Sequence, residues 1–366
     1  SGTASISSAN AGSYTITNLA GITIADGSGG TASNYTLTGG THNFTVNRRV
    51  VSVSGTRLYD ASTNAIASDL STHTNLVGSE TLNLSGTGTI ASKNVGSNKT
   101  VSLGTLALAD DTGLAANYTL SGGTHQLTVN QRPLNATLSR QYDGTTTAAG
   151  STLSSFDALQ GGENLTMTGS GTAASANVAN GIAMSNNGNL ALVDGTGLAS
   201  NYSLNSTVIN ITQRVLNSSG SKTYDANTNA LAADITLSNL VSGETLNHSG
   251  TATIGSANAG SYTISNLTGI TIADNAGLAS NYTLTGGTHN FTVNPKVVSI
   301  QGNKTYDGNT TISSGDITSV TDTVGAETLV ISGGSGTVSS ANVATYSSAG
   351  INEGTLTLGD GTGLAS

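Results

Sequence analysis

The sequence predicts an all-β or nearly all-β fold, arranged as a tandem array of modules of about 82 residues. Tyr-Asp pairs recur at a near-constant interval, at residues 59–60, 142–143, 224–225 and 306–307. Apolar and polar residues alternate with the period of two that is typical of strands. No segment carries a long apolar stripe at helical spacing, and the best candidate for a helical turn is the short segment 65–70. A period of this length is too long for one coil of a solenoid and suits one small domain.

The strand predictions follow this alternation along the module. Val50–Val53 opens a first strand, Ser261–Ile264 and Asn281–Leu284 belong to later strands, and His289–Val293 presents alternate residues to opposite faces. Clusters of Gly, Asn, Asp and Ser separate these segments, and they supply the positive φ angles that turns need. Each module is therefore expected to be either an immunoglobulin-like sandwich or a β-grasp-like unit.

The module boundaries follow from internal repetition. Residues 1–47 match residues 249–294 almost letter for letter, so the chain starts and stops within modules and is expected to be a window from a longer protein. Junctions of about three residues, two of them with proline at residues 133 and 295, leave little slack. Independently folding, near-rigid neighbours in a head-to-tail rod are therefore expected. The predicted divisions are a C-terminal part-module at 1–47, modules at 48–130, 131–213 and 214–294, and an N-terminal part-module at 295–366.

The composition excludes several functional classes. The formal net charge is −9, and no basic patch is present to bind nucleic acid or an anionic membrane surface. No run of 18 apolar residues is present, so no membrane insertion is expected. The absence of cysteine fits an exported bacterial protein that crosses membranes unfolded and reduced.

The rare side chains are confined to repeat positions, and this favours structural functions for them. All eleven tyrosines occupy three repeat positions, and a basic residue precedes each Tyr-Asp tyrosine by two. Each aspartate is expected to close its turn and to pair with that basic residue. A lone glutamate also follows each pair, at residues 80, 163, 244 and 327. The predicted structural anchors are Tyr59, Asp60, Tyr142, Asp143, Tyr224, Asp225, Tyr306, Asp307, Tyr35, Tyr118, Tyr202 and Tyr282.

Catalytic and metal sites are the alternatives to this structural interpretation. The glutamates and aspartates could form carboxylate couples of the glycosidase kind, but four identical sites without a tryptophan platform argue against it. Calcium at repeat interfaces is kept as a minor alternative, because acidic residues recur without a calcium-loop motif. Strand packing is expected for the repeated histidines, and an isopeptide bond at Lys93 or Lys99 is disfavoured. No catalytic residue, cofactor or metal is therefore expected. The recurrent acidic positions are Asp26, Asp110, Asp194, Asp274 and Asp360, and the repeated histidines are His42, His125 and His289.

The segments Lys304–Thr311 and Arg140–Thr147, together with Gly277–Leu284, resemble the YDG-type repeat of large secreted bacterial surface proteins. The resemblance extends over every module, although Ala61 and Ala226 replace the glycine that follows Tyr-Asp. Proteins of this kind are similar to filamentous-haemagglutinin-type adhesins, which are exported by two-partner secretion. They hold cells to surfaces, to each other or to matrix polysaccharide.

Together these features predict a non-enzymatic stalk of an extracellular bacterial adhesin, which projects a binding region from the cell surface and supports adhesion and biofilm formation. One alternative is that each repeat binds matrix polysaccharide weakly and that the array gains avidity. The other is self-association into an extracellular filament through exposed strand edges. The expected partners are neighbouring modules of the same chain, with polysaccharide or further copies of the chain under the alternatives.

Overall fold

The structure is a computed structural model that describes residues 1–363. Within that range the regular elements are short β-strands and three-residue 3-10 turns. This confirms the nearly all-β prediction. No helix among these residues has the length and apolar character needed to cross a membrane. Residues 364–366, which end the predicted part-module 295–366, lie outside the described residues.

The strands and turns recur in the same order along the chain. The first segment contains β1 (Gly12–Thr15), η1 (Ala32–Asn34) and β2 (Asn43–Val46). The next contains β3 (Arg49–Val50), β4 (Ser52–Leu58), β5 (Asn64–Ile66), η2 (Ala67–Asp69), β6 (Thr72–Thr74), β7 (Leu82–Ser85), β8 (Thr87–Ile90), β9 (Gly96–Ser102), β10 (Ala107–Asp110), η3 (Ala115–Asn117), β11 (Tyr118–Thr119) and β12 (Gln126–Asn130). The third contains β13 (Arg132–Gln141), β14 (Thr147–Ala149), η4 (Gly150–Thr152), β15 (Leu153–Phe156), β16 (Leu165–Thr168), β17 (Ser170–Ala173), β18 (Ala179–Asn186), β19 (Ala191–Asp194), η5 (Ala199–Asn201) and β20 (Tyr202–Thr212).

The remaining elements repeat the pattern once more and then in part. The fourth segment contains β21 (Arg214–Val215), β22 (Asn217–Thr223), β23 (Asn229–Leu231), η6 (Ala232–Asp234), β24 (Ile235–Ser238), β25 (Asn247–Ile254), β26 (Gly260–Asn266), β27 (Ile270–Ala273), η7 (Ala279–Asn281), β28 (Tyr282–Thr283) and β29 (His289–Asn294). The fifth contains β30 (Ser299–Gly302), β31 (Thr311–Ser313), η8 (Ser314–Asp316), β32 (Ile317–Thr321), β33 (Leu329–Gly333), β34 (Ser335–Val338), η9 (Ser348–Gly350), β35 (Ile351–Asn352) and β36 (Thr357–Asp360).

The chain divides into two compact units that do not follow the predicted module boundaries, and those boundaries stay predictions. Unit 1 comprises Ser1–Leu138, Thr147–Ala173 and Ala183–Ile209. Unit 2 comprises Ser139–Thr146, Ala174–Ile182 and Asn210–Ser366.

Unit 1 contains a six-stranded mixed sheet with the order β5-β8-β9-β12-β4-β6. Its strands β4 and β12 lie side by side in parallel, with Gln126 opposite Ser54 and Asn130 opposite Leu58. The other neighbours in the sheet are antiparallel, and β7 pairs separately with β10. Because parallel neighbours cannot be joined by a tight turn, the intervening strands form the rest of the module between them.

Unit 2 repeats this order as β23-β25-β26-β29-β22-β24, with β22 and β29 parallel. His289, Phe291 and Val293 of β29 are buried, whereas Asn290 and Asn294 are exposed, which confirms the predicted alternation. An immunoglobulin-like sandwich consists of two antiparallel sheets. The parallel pairing of a module's opening and closing strands therefore favours the β-grasp-like alternative.

Two predicted strands have other bounds in the structure. Val51 interrupts the predicted strand Val50–Val53, because β3 pairs with β11 whereas β4 pairs with β12 and β6. The segment Asn281–Leu284 forms only the two-residue strand β28, because Asn281 ends the turn η7. The short helical turn that was expected after Tyr-Asp is present as η2.

Each unit has its own apolar core. Val51, Val53 and Leu127 are buried in unit 1, and Phe291 and Val293 are buried in unit 2. Turn η2 crosses close over β4 at Gly55, where a Cβ atom would lie 1.7 Å from the carbonyl oxygen of Asp69. At Gly220 a Cβ atom would lie 2.4 Å from the carbonyl oxygen of Asp234 in η6, so glycine is required where the turn passes over the opening strand.

Candidate functional site at the repeat junctions

Each Tyr-Asp pair is followed by a tight turn that its own aspartate closes. Asp60 accepts a hydrogen bond from the backbone N–H of Ser62 at 2.9 Å, and Arg57 pairs with the same carboxylate at 3.1 Å. The equivalent aspartates at residues 143, 225 and 307 make the same contacts with residues two positions ahead and three positions behind. This confirms the predicted turn closure and the predicted ion pair.

The residue after each Tyr-Asp pair has a left-handed backbone. Gly144 and Gly308 have φ angles of 77° and 78°, and Ala61 and Ala226 adopt 62° and 61° at the same repeat position. Glycine reaches this region without steric cost, whereas alanine does not. The replacement of glycine in two repeats therefore leaves the turn geometry intact but makes it strained.

The tyrosine of the first Tyr-Asp pair reaches across to the next repeat within unit 1. Tyr59 is fully buried, and its hydroxyl donates to Oε1 of Glu163 at 2.6 Å. The other carboxylate oxygen, Oε2, accepts from the hydroxyl of Tyr202 at 2.8 Å. The two rings meet edge to face with centroids 5.3 Å apart, which is a favourable aromatic geometry. Tyr59, Glu163 and Tyr202 are called the first joint below.

The same arrangement recurs in unit 2 as a second joint, formed by Tyr142, Glu244 and Tyr282. The hydroxyl of Tyr142 donates to Oε1 of Glu244 at 2.5 Å, and the hydroxyl of Tyr282 donates to Oε2 at 2.7 Å. The ring centroids lie 5.5 Å apart and the interplanar angle is 80°. The recurrence shows that the joint belongs to the repeat and not to one accidental contact.

A turn preceding each glutamate holds the second tyrosine of the joint. The backbone N–H of Gln160 donates to the hydroxyl of Tyr202 at 3.1 Å, and Val241 does the same for Tyr282 at 3.0 Å. The phenol thus donates to the carboxylate and accepts from the backbone. Gly197 lies against Glu163, where a Cβ atom would come within 2.7 Å of Oε2. Gly197 and Tyr202 of its own repeat therefore lie against the carboxylate, which Tyr59 contacts from the preceding repeat.

In three of the four Asn-Tyr pairs, the asparagine forms a second link to the preceding repeat. Asn201 accepts a hydrogen bond from the N–H of Val95 at 2.9 Å and donates to Oδ1 of Asn94 at 3.0 Å. Asn117 makes equivalent bonds with residues 10–11, and Asn281 with residues 177–178. Because Asn201 and Asn281 are buried, these bonds fix the orientation of the turns that carry Tyr202 and Tyr282.

Other predicted anchors lie in incomplete versions of the joint. Tyr118 is buried and bonds Glu80 of its own repeat, and Tyr224 donates to Oε1 of Glu327 at 2.5 Å. In contrast, Tyr35 is 70% exposed and Tyr306 is 65% exposed. The function of all twelve residues as anchors stays a prediction, and the buried tyrosines of the two joints support it.

The electrostatics of the first joint keep its glutamate ionised. Burial acts to raise the pKa of Glu163, but hydrogen bonds from Lys93, Tyr59 and Tyr202 outweigh it and hold the pKa below its usual range. Lys93 Nζ lies 2.6 Å from Oε1 and 5.8 Å from the ring centroid of Tyr59. Burial raises the pKa of Tyr202 to about 12. A general acid needs a raised carboxyl pKa, so this site is better suited to cohesion than to proton transfer.

The recurrent acidic residues considered for calcium bond to backbone N–H groups. Asp110, Asp194 and Asp274 each accept from the N–H five positions ahead at 2.7 Å, and thereby hold the turns η3, η5 and η7. Asp26 holds η1 through Ala32 in a similar way. Within residues 1–363, no group of three or more His, Asp or Glu side chains is arranged to hold a metal ion.

The repeated histidines also hold turns. Nε2 of His125 bonds the carbonyl of Leu120 at 2.8 Å, and His289 does the same with Leu284 at 2.8 Å. His42 repeats the contact with the carbonyl of Leu37. Of the three, His289 lies within strand β29, whereas His42 and His125 directly precede β2 and β12, so the predicted strand position is wrong for these two.

Sequence reasoning found the tyrosines of the joints but missed their acceptors. From the sequence, the glutamates are a recurrent feature whose one suggested function is as catalytic partners of the aspartates. Their near-constant distance after each Tyr-Asp pair is a signal that they belong to the same structural unit. Lys93 carried no such signal, because it occurs in one repeat only.

The sequence matches the YDG domain family in three adjacent segments, residues 45–125, 124–209 and 210–289. These segments cover more than half of the chain. No curated protein matches it.

Proposed function

Because this chain belongs to the YDG-domain family, we propose that it is a non-enzymatic stalk of a bacterial adhesin. In this proposal the protein is filamentous-haemagglutinin-like, exported by two-partner secretion and displayed at the cell surface. The repeats carry a binding region away from the cell, and they thereby support adhesion between cells, adhesion to surfaces and biofilm formation.

The observation that supports the proposal is the recurrence of the joint. A stalk has to transmit tension from one repeat to the next. In both joints a carboxylate accepts hydrogen bonds from two phenols, one supplied by each of two successive repeats. Charge-assisted hydrogen bonds are stronger than neutral ones, and buried aromatic contacts add to them. Separating the repeats would leave the glutamate carboxylate without the hydrogen bond from the other repeat. The free-energy cost of that loss opposes extension of the stalk at the junction.

The burial of the tyrosines is less suited to repeat-borne binding of polysaccharide. A sugar-binding surface presents aromatic faces in register, whereas Tyr59, Tyr142, Tyr202 and Tyr282 are buried in the joints. Their rings contact one another and their hydroxyls are occupied by glutamates. The rings and hydroxyls of these tyrosines are thus used in contacts between neighbouring repeats.

The stalk function is tested by exchanging repeats in the parent adhesin at the cell surface. We expect adhesion to fall when two repeats are deleted and to recover when unrelated rigid β-repeats of equal length replace them. Purified residues 1–366 should not bind matrix polysaccharide in a pull-down assay. If the replacement array fails and the purified chain binds polysaccharide, the repeats are binding modules and the proposal is wrong.

A further inference from the structure

A histidine occupies an apolar position of the sheet in one repeat. His73 of β6 lies directly opposite the buried Val53 of β4, so the two side chains share a face of the sheet. In the next two repeats the residues opposite the equivalent positions of the opening strand are Phe156 and Leu237, which pack against the apolar cores. His73 therefore places an imidazole where these repeats place a hydrocarbon side chain.

The buried nitrogen of this imidazole has no hydrogen-bond partner. Nε2 of His73 is removed from solvent and meets no donor or acceptor among residues 1–363. Burial lowers the pKa of His73 below its ordinary value, and a hydrogen bond with the backbone of Leu82 opposes this shift only in part. Protonation would place a charge and an unsatisfied N–H in this position, which costs free energy. The folded repeat therefore favours the neutral ring.

A second histidine of the same repeat holds β4 from its other side. The backbone N–H of Val53 donates to Nδ1 of His125 at 3.3 Å, and Nε2 of His125 bonds the carbonyl of Leu120. A backbone N–H can only donate and a carbonyl can only accept, so this arrangement requires a neutral imidazole. In unit 2 the equivalent His289 places Nδ1 2.9 Å from the hydroxyl of Ser218, which can donate or accept. The contact of His125 is thus the one that acid would break.

The charged side chains around β6 are engaged elsewhere. Arg57 of β4 pairs with Asp60 and Asp69, Arg49 of β3 bonds Asn75, and Glu80 before β7 bonds Tyr118. Burial, and not a neighbouring charge, is the main cause of the lowered pKa of His73. No nearby carboxylate is therefore positioned to stabilise a protonated His73. The titratable and charged groups on the elements around it are Arg49, Arg57, Asp69, Glu80 and His125.

We propose that residues 48–130 form an acid-sensitive element of the array, in which protonation of His73 loosens β6 from β4. The contact between His125 and β4 is lost as the sheet opens. The corresponding repeat at 214–294 has Leu237 in place of His73 and stays closed over the same pH range. In a stalk under tension, residues 48–130 would then lengthen first in acid. That consequence rests on the proposed stalk function, whereas the acid sensitivity itself does not.

The direction of the pH dependence follows from the preference for the neutral ring. The unfolded chain takes up the proton at the ordinary histidine pKa of 6.5, before the folded repeat does. The stability that His73 contributes is therefore fully present above that pH and falls as the pH is lowered through the pKa of the folded state. Repeats with Phe156 or Leu237 at this position have no such term.

Hydrogen exchange of the full chain at pH 7 and pH 5, read by mass spectrometry, tests this inference. Protection is corrected for the pH dependence of intrinsic exchange. We expect β4, β6 and β12 to lose protection at pH 5, whereas β22, β24 and β29 of the corresponding repeat keep theirs. Equal losses in the two repeats, or no loss in residues 48–130, overturn the proposal.

Reciprocal variants identify the residue responsible. His73→Leu introduces the side chain of the corresponding repeat and should reduce the loss of protection in residues 48–130, whereas Leu237→His should create a loss in 214–294. The matched control is His248→Leu, because Nε2 of His248 already bonds two backbone carbonyls and its ring can remain protonated there. It should leave the pH dependence of both repeats unchanged. A His73→Leu variant that loses as much protection as the wild type overturns the proposal, even if Leu237→His does not fold. Neither result affects the stalk function, which is tested by adhesion.

Discussion

At the scale of single residues, one glutamate organises each joint. Glu163 accepts hydrogen bonds from two phenols and from the ammonium group of Lys93, so both of its carboxylate oxygens are occupied. Its side chain is largely buried, and solvent therefore screens these contacts only weakly. A single change at this position removes the charge without changing the shape of the side chain.

We predict that Glu163→Gln destabilises the chain by roughly 2–4 kcal/mol, because hydrogen bonds to a charged group contribute more than neutral ones. Chemical denaturation followed by circular dichroism measures the change. The matched control is Glu353→Gln, which removes the same charge at an exposed position and should change stability by less than about 0.5 kcal/mol. Equal effects of the two substitutions would refute the stabilising function of the joint.

The joints should loosen in alkaline solution. Burial and, for Tyr282, the bond to Glu244 raise the pKa of Tyr202 and Tyr282 to about 12. An unfolded tyrosine ionises near pH 10. The folded state therefore retains these protons more tightly, so the stabilisation is fully present below pH 10 and falls as the pH rises to 12. A tyrosine pKa that is about two units higher in the folded state than in the unfolded state corresponds to about 3 kcal/mol of stability per tyrosine.

Denaturation curves at several pH values between 9 and 12 should show this decrease. In the variant Tyr202→Phe, the part of the decrease that Tyr202 causes should disappear, although the variant is less stable at neutral pH. An unchanged slope in that variant would show that Tyr202 does not titrate as the burial of the joint requires.

At the scale of elements, the turn after Tyr-Asp shows how a repeat tolerates strain. Ala226 is exposed and has a φ angle of 61°, whereas Gly308 occupies the same repeat position, where an added Cβ atom would have no neighbour within 4 Å. The two positions therefore differ in side chain but not in backbone conformation. The free-energy cost of the left-handed conformation can therefore be measured by replacing alanine with glycine at one position and glycine with alanine at the other.

We predict that Ala226→Gly stabilises the chain by about 1 kcal/mol and that Gly308→Ala destabilises it by about the same amount, since an L-residue in the left-handed region costs roughly 1–2 kcal/mol. Thermal melts of both variants check the signs. Two changes of the same sign would mean that the turn is not held in this conformation in solution.

The turn η5 is attached to the preceding repeat through Asn201. We predict that Asn201→Ala costs roughly 1–3 kcal/mol, because the N–H of Val95 loses its acceptor in a partly buried position. The control is Asn34→Ala at the same repeat position, where the side chain is exposed. The free energy of unfolding of that variant should differ from that of the wild type by less than about 0.5 kcal/mol. A small effect of Asn201→Ala would show that the hydrogen bonds of Asn201 do not stabilise the junction.

At the scale of the whole molecule, the first joint connects the cores of successive repeats. The buried cluster of unit 1 contains Val53 and Tyr59 from one predicted module and Leu134, Leu165 and Tyr202 from the next. Independent folding of each module stays a prediction. A module on its own lacks the hydrogen bonds that Tyr59 and Lys93 of the preceding module donate to Glu163.

We predict that a fragment of residues 131–213 melts cooperatively but is less stable than the same residues within a fragment of 48–213. The expected difference is roughly 2–4 kcal/mol, from the hydrogen bonds and aromatic contacts of the first joint. Calorimetry of both fragments measures it. Equal stabilities would show that the modules are independent beads, and an unfolded 131–213 fragment would place most of the stability in the junctions.

The sequence by itself determined the all-β class, the period of the repeat and the chemistry of its turns. These features are local. Alternation with period two depends on neighbouring residues, and an aspartate such as Asp60 or Asp307 closes its turn by accepting from the N–H two residues ahead. Only the tertiary structure decided which residues meet over long distances. Tyr59 bonds Glu163 of the next repeat, 104 residues away, and not Glu80 of its own. Strands of such similar composition do not encode their register or parallel pairing in any local pattern. The register and the pairing are set by the arrangement that packs the apolar side chains into a filled core. The burial of Tyr202 depends in the same way on long-range contacts, because its ring packs against Tyr59 of the preceding repeat.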